Sequence, residues 1–161
     1  MKPLQTPLFM PPVEWDTPTD FPDLSEHKEI AIDLETCDPS LKSMGSGAVR
    51  GEGFVVGFAI AVEGWQGYYP IAHEGGNNLD KRVVLEYVQE VLNLPAAKIF
   101  HNAMYDVSWL RSMNLNINGR IIDTMIAASL VDENRWGFTL DGLAKQYVGL
   151  VKNEKLLKEA A

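Results

Sequence analysis

A chain of 161 residues, 46% apolar and 22% charged, holds about one domain and enough apolar side chain for one sizeable core. That balance excludes a disordered tail protein and a collagen-like fibre. No apolar run reaches the ~18 residues of a membrane span, and Lys2 has no apolar stretch behind it of the kind a secretory signal needs. The formal net charge of −8 excludes a histone-like, purely electrostatic nucleic-acid binder, while the single cysteine, Cys37, excludes an intrachain disulfide and suits a reducing cytoplasm.

Pro3, Pro7, Pro11, Pro12, Pro18 and Pro22 crowd the first 25 residues and remove the backbone donors that a helix interior or central strand needs. Residues 1–26 therefore read as an extended arm, with Leu8, Phe9, Val13, Trp15 and Phe21 as anchors on an apolar surface, or equally as a partly ordered tail. Residues 27–161 form the domain. The arm holds Lys2 against Glu14, Asp16, Asp20, Asp23 and Glu26, a balance of −4, and the domain holds 13 basic and 17 acidic side chains, again −4. Glu29 to Leu34 alternates as a strand does. Residues 37–53, rich in Gly and Ser, read as a long flexible loop. Phe54 to Val62, an apolar run broken only by Gly57, is a buried strand, and Tyr68 to Ala72 closes a meander, with Pro70 arguing for a sheet edge.

Asp80 is placed to cap a helix over 81–93, where Val84, Tyr87, Val88, Val91 and Leu92 recur at helical spacing. Lys98 to Phe100 is a short strand. A helix follows over 103–113, with Ala103, Val107 and Leu110 on one face. Ile121 and Ile122 make a fifth strand. Asp123 then caps a nearly all-apolar helix, T-M-I-A-A-S-L-V, whose composition predicts burial. Residues 139–148 carry Leu140, Leu143, Ala144 and Tyr147 on one stripe, and 152–161 read as a last helix. Three strands in succession and then alternating helices and strands make an α/β mixed sheet with helices packed on it.

Two segments suggest chemistry. Asp33 and Glu35 are two apart on the first strand and so share a face. Side by side they raise each other's pKa unless a cation lies between them, and Mg²⁺ or Mn²⁺ prefers such oxygen donors. Alone, D-x-E reads more simply as solvated acids on an edge strand. In F-H-N-A-M-Y-D-V-S-W-L, Asn102 and Asp106 are four apart and share a helix face at the rim of the apolar stripe; the plainer alternative is a cap by Asn102 and an exposed Asp106. Asp123 in I-I-D-T-M is read as a cap. The glycines at 45, 47, 51 and 53 match neither phosphate-loop pattern, so Lys42 and Arg50 between them read as parts of a plain connection, and His27 and His73 lack partners at zinc spacing. Tyr105, Trp109, Trp136 and Phe138 are read as core before base-stacking residues.

Together, D-L-E-T at 33–36, H-N-A-M-Y-D at 101–106, I-I-D-T-M at 121–125 and T-L-D-G-L-A at 139–144 resemble the 3′–5′ exonuclease (proofreading) domain of family A DNA polymerases, phage polymerases above all. The resemblance spans roughly residues 29–150 and implies a ribonuclease H-like fold of the DEDD superfamily. It implies Asp33, Glu35 and Asp106 as catalytic metal-binding carboxylates, with Asn102 supporting the site or substrate, Thr36 near the terminal nucleotide and Leu41 as an apolar wedge at its base. It further implies two ions, Mg²⁺ or Mn²⁺, about 3.5–4 Å apart, a single-stranded DNA 3′ end as substrate, no membrane, and the cytoplasm (of a host cell for a phage protein). The family takes a fourth carboxylate from a third motif, Y-x-x-x-D. No tyrosine here has an aspartate four residues on, and Tyr147 is followed there by Val151. The expectation is a chain that stops before that motif, with the polymerase domain or a missing C-terminal segment as partner. A ribonuclease D-like RNA exonuclease and a non-catalytic nucleic-acid-binding fragment are the alternatives.

Overall fold

In the computed structural model, residues 18–74 and 77–150 are described. Five strands form one sheet in the order β3-β2-β1-β4-β5. β1 (Glu29–Cys37), β2 (Phe54–Val62) and β3 (Trp65–Pro70) make the antiparallel meander; β4 (Ala97–Phe100) and β5 (Ile121–Asp123) run parallel to β1. This is the expected mixed sheet. β3 runs earlier than its sequence suggested, because Trp65, Gln66 and Gly67 pair with β2 directly after the two-residue turn. It is an edge strand, which tolerates the missing donor of Pro70.

Alternation on β1 sorts the two faces of the sheet. Ile30, Ile32 and Leu34 point inward and join Phe58 and Ile60 of β2 in the core. α3 (Lys81–Asn93) adds Val84, Val88 and Leu92 to it, and α4 (Ala103–Ser112) adds Trp109 and Leu110. Asp80 caps α3 as expected, accepting from the amides of Arg82 and Val83 at 2.8 and 3.3 Å. The core also holds Lys98, which the sequence did not mark as special. Its Nζ donates to the carbonyls of Leu94, Ala96 and Asn118, so the ammonium is satisfied although burial pulls its pKa down.

Three expectations are corrected. The Gly/Ser-rich stretch is not a featureless loop: it folds into two single turns, α1 (Leu41–Met44) and α2 (Gly47–Arg50). Asp38 organises it by accepting from the amide of Gly47 at 2.8 Å and facing Arg50 at 3.7 Å, while Gly51 and Gly53 take the positive φ the turns require. The apolar helix α5 (Thr124–Val131) buries none of its residues and leaves Ile126, Leu130 and Val131 exposed, since among the described residues no element covers it. On α6 (Leu140–Tyr147) only Leu143 is buried, and Leu140 and Tyr147 are exposed. Of the arm's anchors, Phe21 stacks on Tyr69 at 5.2 Å and meets the edge of Tyr87, whereas Leu8, Phe9, Val13 and Trp15, like the helix expected over 152–161, lie outside the described residues.

Candidate functional site

β1 outruns its neighbour. It pairs with β4 only over Glu29, Ile30 and Ala31, so its next residues open a notch on the β4 side. The amide of Leu34 falls in that notch without a strand partner, and Asp106, in the first turn of α4, accepts from it at 3.2 Å. A carboxylate buried to 3% exposure is thereby fixed beside β1. Asp33 and Glu35 are exposed and alternate with buried Ile32 and Leu34, so both lie on the sheet's open face. Burial first, then the charge of Asp33, pushes the pKa of Asp106 up to about 7, against the amides of Leu34 and of Asp106 itself. Facing hard-oxygen donors of this kind fit a divalent cation such as Mg²⁺ or Mn²⁺. As they stand, no three His, Cys, Asp or Glu side chains among the described residues converge tightly enough to enclose an ion.

Thr36 follows a register shift between Glu35 and Thr36, the kind of irregularity that re-aims a side chain. Its hydroxyl lies 2.7 Å from that of Tyr105, which also donates to Asp38 at 3.3 Å. Tyr105 is thus tied to Thr36 and Asp38, where the sequence read it as core before base-stacking. Asn102 departs from expectation. It precedes α4 instead of sharing its face with Asp106, sits exposed in the left-handed region (φ 66°), and makes no side-chain cap. Leu41 stands half-exposed on α1.

A family model described as 3′–5′ exonuclease matches residues 21–160. The chain belongs to this family. The DNA-directed DNA polymerase of Pseudomonas phage M6 is 33% identical over 171 residues, which cover 98% of this chain and 25% of the polymerase. DNA polymerase I of Borreliella burgdorferi is 29% identical over 126 residues, covering 78% of this chain and 13% of that one. The chain therefore spans a quarter or less of these relatives and is an exonuclease domain of the DNA polymerase family. Among solved structures, Brucella melitensis NrnC with bound Mg²⁺ has a TM-score of 0.59 at 20% identity, covering 81% of this chain and 58% of that one. Trypanosoma brucei RNase D reaches 0.62 at 14% identity, covering 84% and 45%. These confirm the ribonuclease H-like fold.

In this exonuclease domain Asp123 is the cap it was expected to be, and more. It accepts from Met125 and Ile126 at the start of α5, and also from Asn102 (3.1 Å) and Ala103 (2.8 Å) at the start of α4. One carboxylate thereby fixes the helix that carries Asp106. Burial raises its pKa, but the four amides outweigh this, and the group titrates below the ordinary 3.8. Replacing Asp123 with Ala is expected to cost about 2 kcal/mol, roughly one for each helix it caps. The contribution is present above the unfolded pKa near 3.8 and is lost as pH falls through the lower folded value. Urea unfolding of both proteins at pH 7 and at pH 3 checks this: the gap should narrow at the lower pH.

The face that carries Asp33 is otherwise open. A trough of about 520 Å³ runs beside it, floored by Ala31, Ala59 and Ala61 and bordered by Tyr68, Ile99 and Leu140. Small side chains on a sheet let another backbone approach closely. His101, at the trough's edge, is held by Thr124 and by the carbonyl of Phe138, both at 2.9 Å. Both of its ring nitrogens are engaged in structure. No helix among the described residues is long and apolar enough to cross a membrane.

Proposed function

We propose that this chain hydrolyses nucleotides from the 3′ end of a DNA strand on behalf of a polymerase, using two Mg²⁺ or Mn²⁺ ions. The observation that carries the reading is buried Asp106, held by the amide of Leu34 in the notch where β1 outruns β4 and close enough to Asp33, the residue before Leu34, for that charge to raise its pKa. Asp33, Glu35 and Asp106 would hold the metal. Bound there, the ions would supply an activated water and offset the charge on the departing oxygen. The protein's own part is positioning. The amide of Leu34 fixes Asp106, and Thr36, oriented by Tyr105, meets the terminal nucleotide. Leu41 offers an exposed apolar side chain to its base, and Asn102 faces the substrate from the exposed start of α4. Outside the three carboxylates the domain is nearly neutral, 13 basic side chains against 14 acidic, which suits metal-mediated grip on a short single strand better than tight duplex binding.

A fourth carboxylate comes, in this reading, from further polymerase polypeptide seated in the trough. The alanine floor and the uncovered apolar side chains of α5 and α6 support such a cover. The test is incubation of 5′-labelled single-stranded DNA with the chain, and with a longer polymerase polypeptide containing it, in Mn²⁺ and in EDTA. Shortening from the 3′ end, dependent on metal and faster in the longer protein, is the expected result. DNA binding that ignores EDTA, with no shortening by either protein, would establish a non-catalytic module instead. Faster digestion of RNA than DNA would favour the ribonuclease D-like alternative.

A further inference from the structure

We infer that Asp38 is a positioning residue: by taking the hydroxyl proton of Tyr105 it makes the Thr36 hydroxyl a pure acceptor, fitted to a donor on the terminal nucleotide, its sugar hydroxyl. The inference rests on the reading of Thr36 given above. The hydrogen bonds run in one direction only. Asp38 Oδ2 accepts from the amide of Gly47 at 2.8 Å and from the hydroxyl of Tyr105 at 3.3 Å. Its Oδ1, shielded from solvent, has the guanidinium of Arg50 3.7 Å away. Amide and guanidinium groups only donate, so the carboxylate between them is the acceptor. Tyr105 has a single hydroxyl proton, and it goes to Asp38. The 2.7 Å contact between the Tyr105 and Thr36 hydroxyls is then a donation from Thr36. With its own proton committed, Thr36 has only lone pairs to offer a substrate.

The fold holds this arrangement firmly. The Asp38 side chain is 2% exposed, too deep to touch a nucleotide itself, so it acts through Tyr105. Gly47 makes room for it: a Cβ there would come within 2.9 Å of Asp38 Oδ1 and 2.2 Å of the carbonyl oxygen of Glu52. Arg50 is held in turn by Glu52 at 3.1 Å and by the carbonyl of Gly45. Tyr105 directly precedes Asp106 in the first turn of α4, so one turn carries both the buried carboxylate and the hydroxyl that orients Thr36. Thr36 in turn lines a small hollow with Glu35 at the end of β1. An acceptor placed there repels a phosphate oxygen, which has nothing to donate, and takes a hydroxyl, which has. Asp38 thereby favours one chemical group at the substrate's end without meeting it.

The test is binding of fluorescein-labelled tetrathymidylate to the chain in Ca²⁺, with thermal unfolding recorded alongside. One probe ends in a 3′-hydroxyl and the other in a 3′-fluorine, which is of similar size and cannot donate. The wild type should favour the hydroxyl end by about fivefold, the worth of one hydrogen bond, and Thr36→Val should erase the preference. Tyr105→Phe spares the bonds of Asp38 to Gly47 and Arg50, so it should melt close to wild type. It frees the Thr36 proton, and the preference should fall to about twofold or less. Asp38→Ala should lower the preference equally. A purely structural Asp38 would weaken both probes alike and leave their ratio unchanged. A wild type that binds both ends equally, or a preference retained in Tyr105→Phe or in Asp38→Ala, overturns the inference while leaving the metal site standing. Wild-type binding that ignores Ca²⁺, or is undiminished in Asp33→Ala, removes the metal reading itself and the inference with it.

Discussion

Asp33→Ala is expected to weaken Mn²⁺ binding by more than about a hundredfold, beyond what is typical for groups that merely orient a metal ligand, and to stop metal-dependent shortening of DNA. The expectation follows from where the side chain stands. It projects from the open face of β1 and its charge is felt by the buried carboxylate of α4, so in this reading it is the group through which an ion would join the strand to the helix. Loss of activity alone would not separate a lost site from a damaged fold, and the charge relation supplies the separation. Asp33 is the second cause, after burial, of the raised pKa of Asp106. Removing it relieves a repulsion, so metal-free Asp33→Ala should be at least as resistant to thermal unfolding at pH 8 as the wild type in EDTA. A variant that binds no metal and also melts markedly earlier would show that Asp33 supports the fold as well as the metal.

Much of the site was legible because it depends on local periodicity. Residues two apart on a strand share a face, so Asp33 and Glu35 were bound to lie together, and the buried neighbours Ile32 and Leu34 decided which face is open. The cap at Asp123 was legible for the same reason, since an acid directly before an apolar helix has a standard local use. What could not be read depends on where elements stop in space. Asn102 sits on the helical spacing that its pairing with Asp106 required. The chain enters α4 one residue later, because Asp123 of the neighbouring strand captures the amides of Asn102 and Ala103. Nor does the sequence of β1 reveal that its pairing with β4 ends at Ala31, and it is this early end that makes Leu34 an amide in need of a carboxylate. The apolar surface of α5 carries a related lesson. Composition says that such a helix must be covered, but not by what, and within the described residues Leu130 is 83% exposed.

Asp106→Asn is expected to abolish metal binding and at the same time to stabilise the metal-free protein at neutral pH. A buried carboxylate whose folded pKa is about 7, against an ordinary 3.8, binds its proton more tightly in the folded state than in the unfolded chain. Its favourable contribution is therefore complete below pH 4 and is lost as pH rises through 7. Above that the folded protein must carry a buried charge facing Asp33, at a cost on the order of 2–4 kcal/mol. Asparagine is nearly isosteric, keeps an oxygen for the amide of Leu34, and carries no charge at any pH. In EDTA, wild-type stability measured by urea unfolding should fall between pH 4 and pH 8, whereas the Asp106→Asn profile should be flatter and lie above it at pH 8. Adding Mn²⁺ at pH 8 should raise the wild type and leave the variant unmoved, because a ligand that binds only the folded state stabilises it in proportion to its occupancy. The site is then a place where the fold accepts a standing electrostatic cost that a divalent cation removes. The opposite result, a variant less stable than wild type in EDTA at pH 8, would mean that the hydrogen bond to Leu34 outweighs the buried charge, and that Asp106 is held there for the fold.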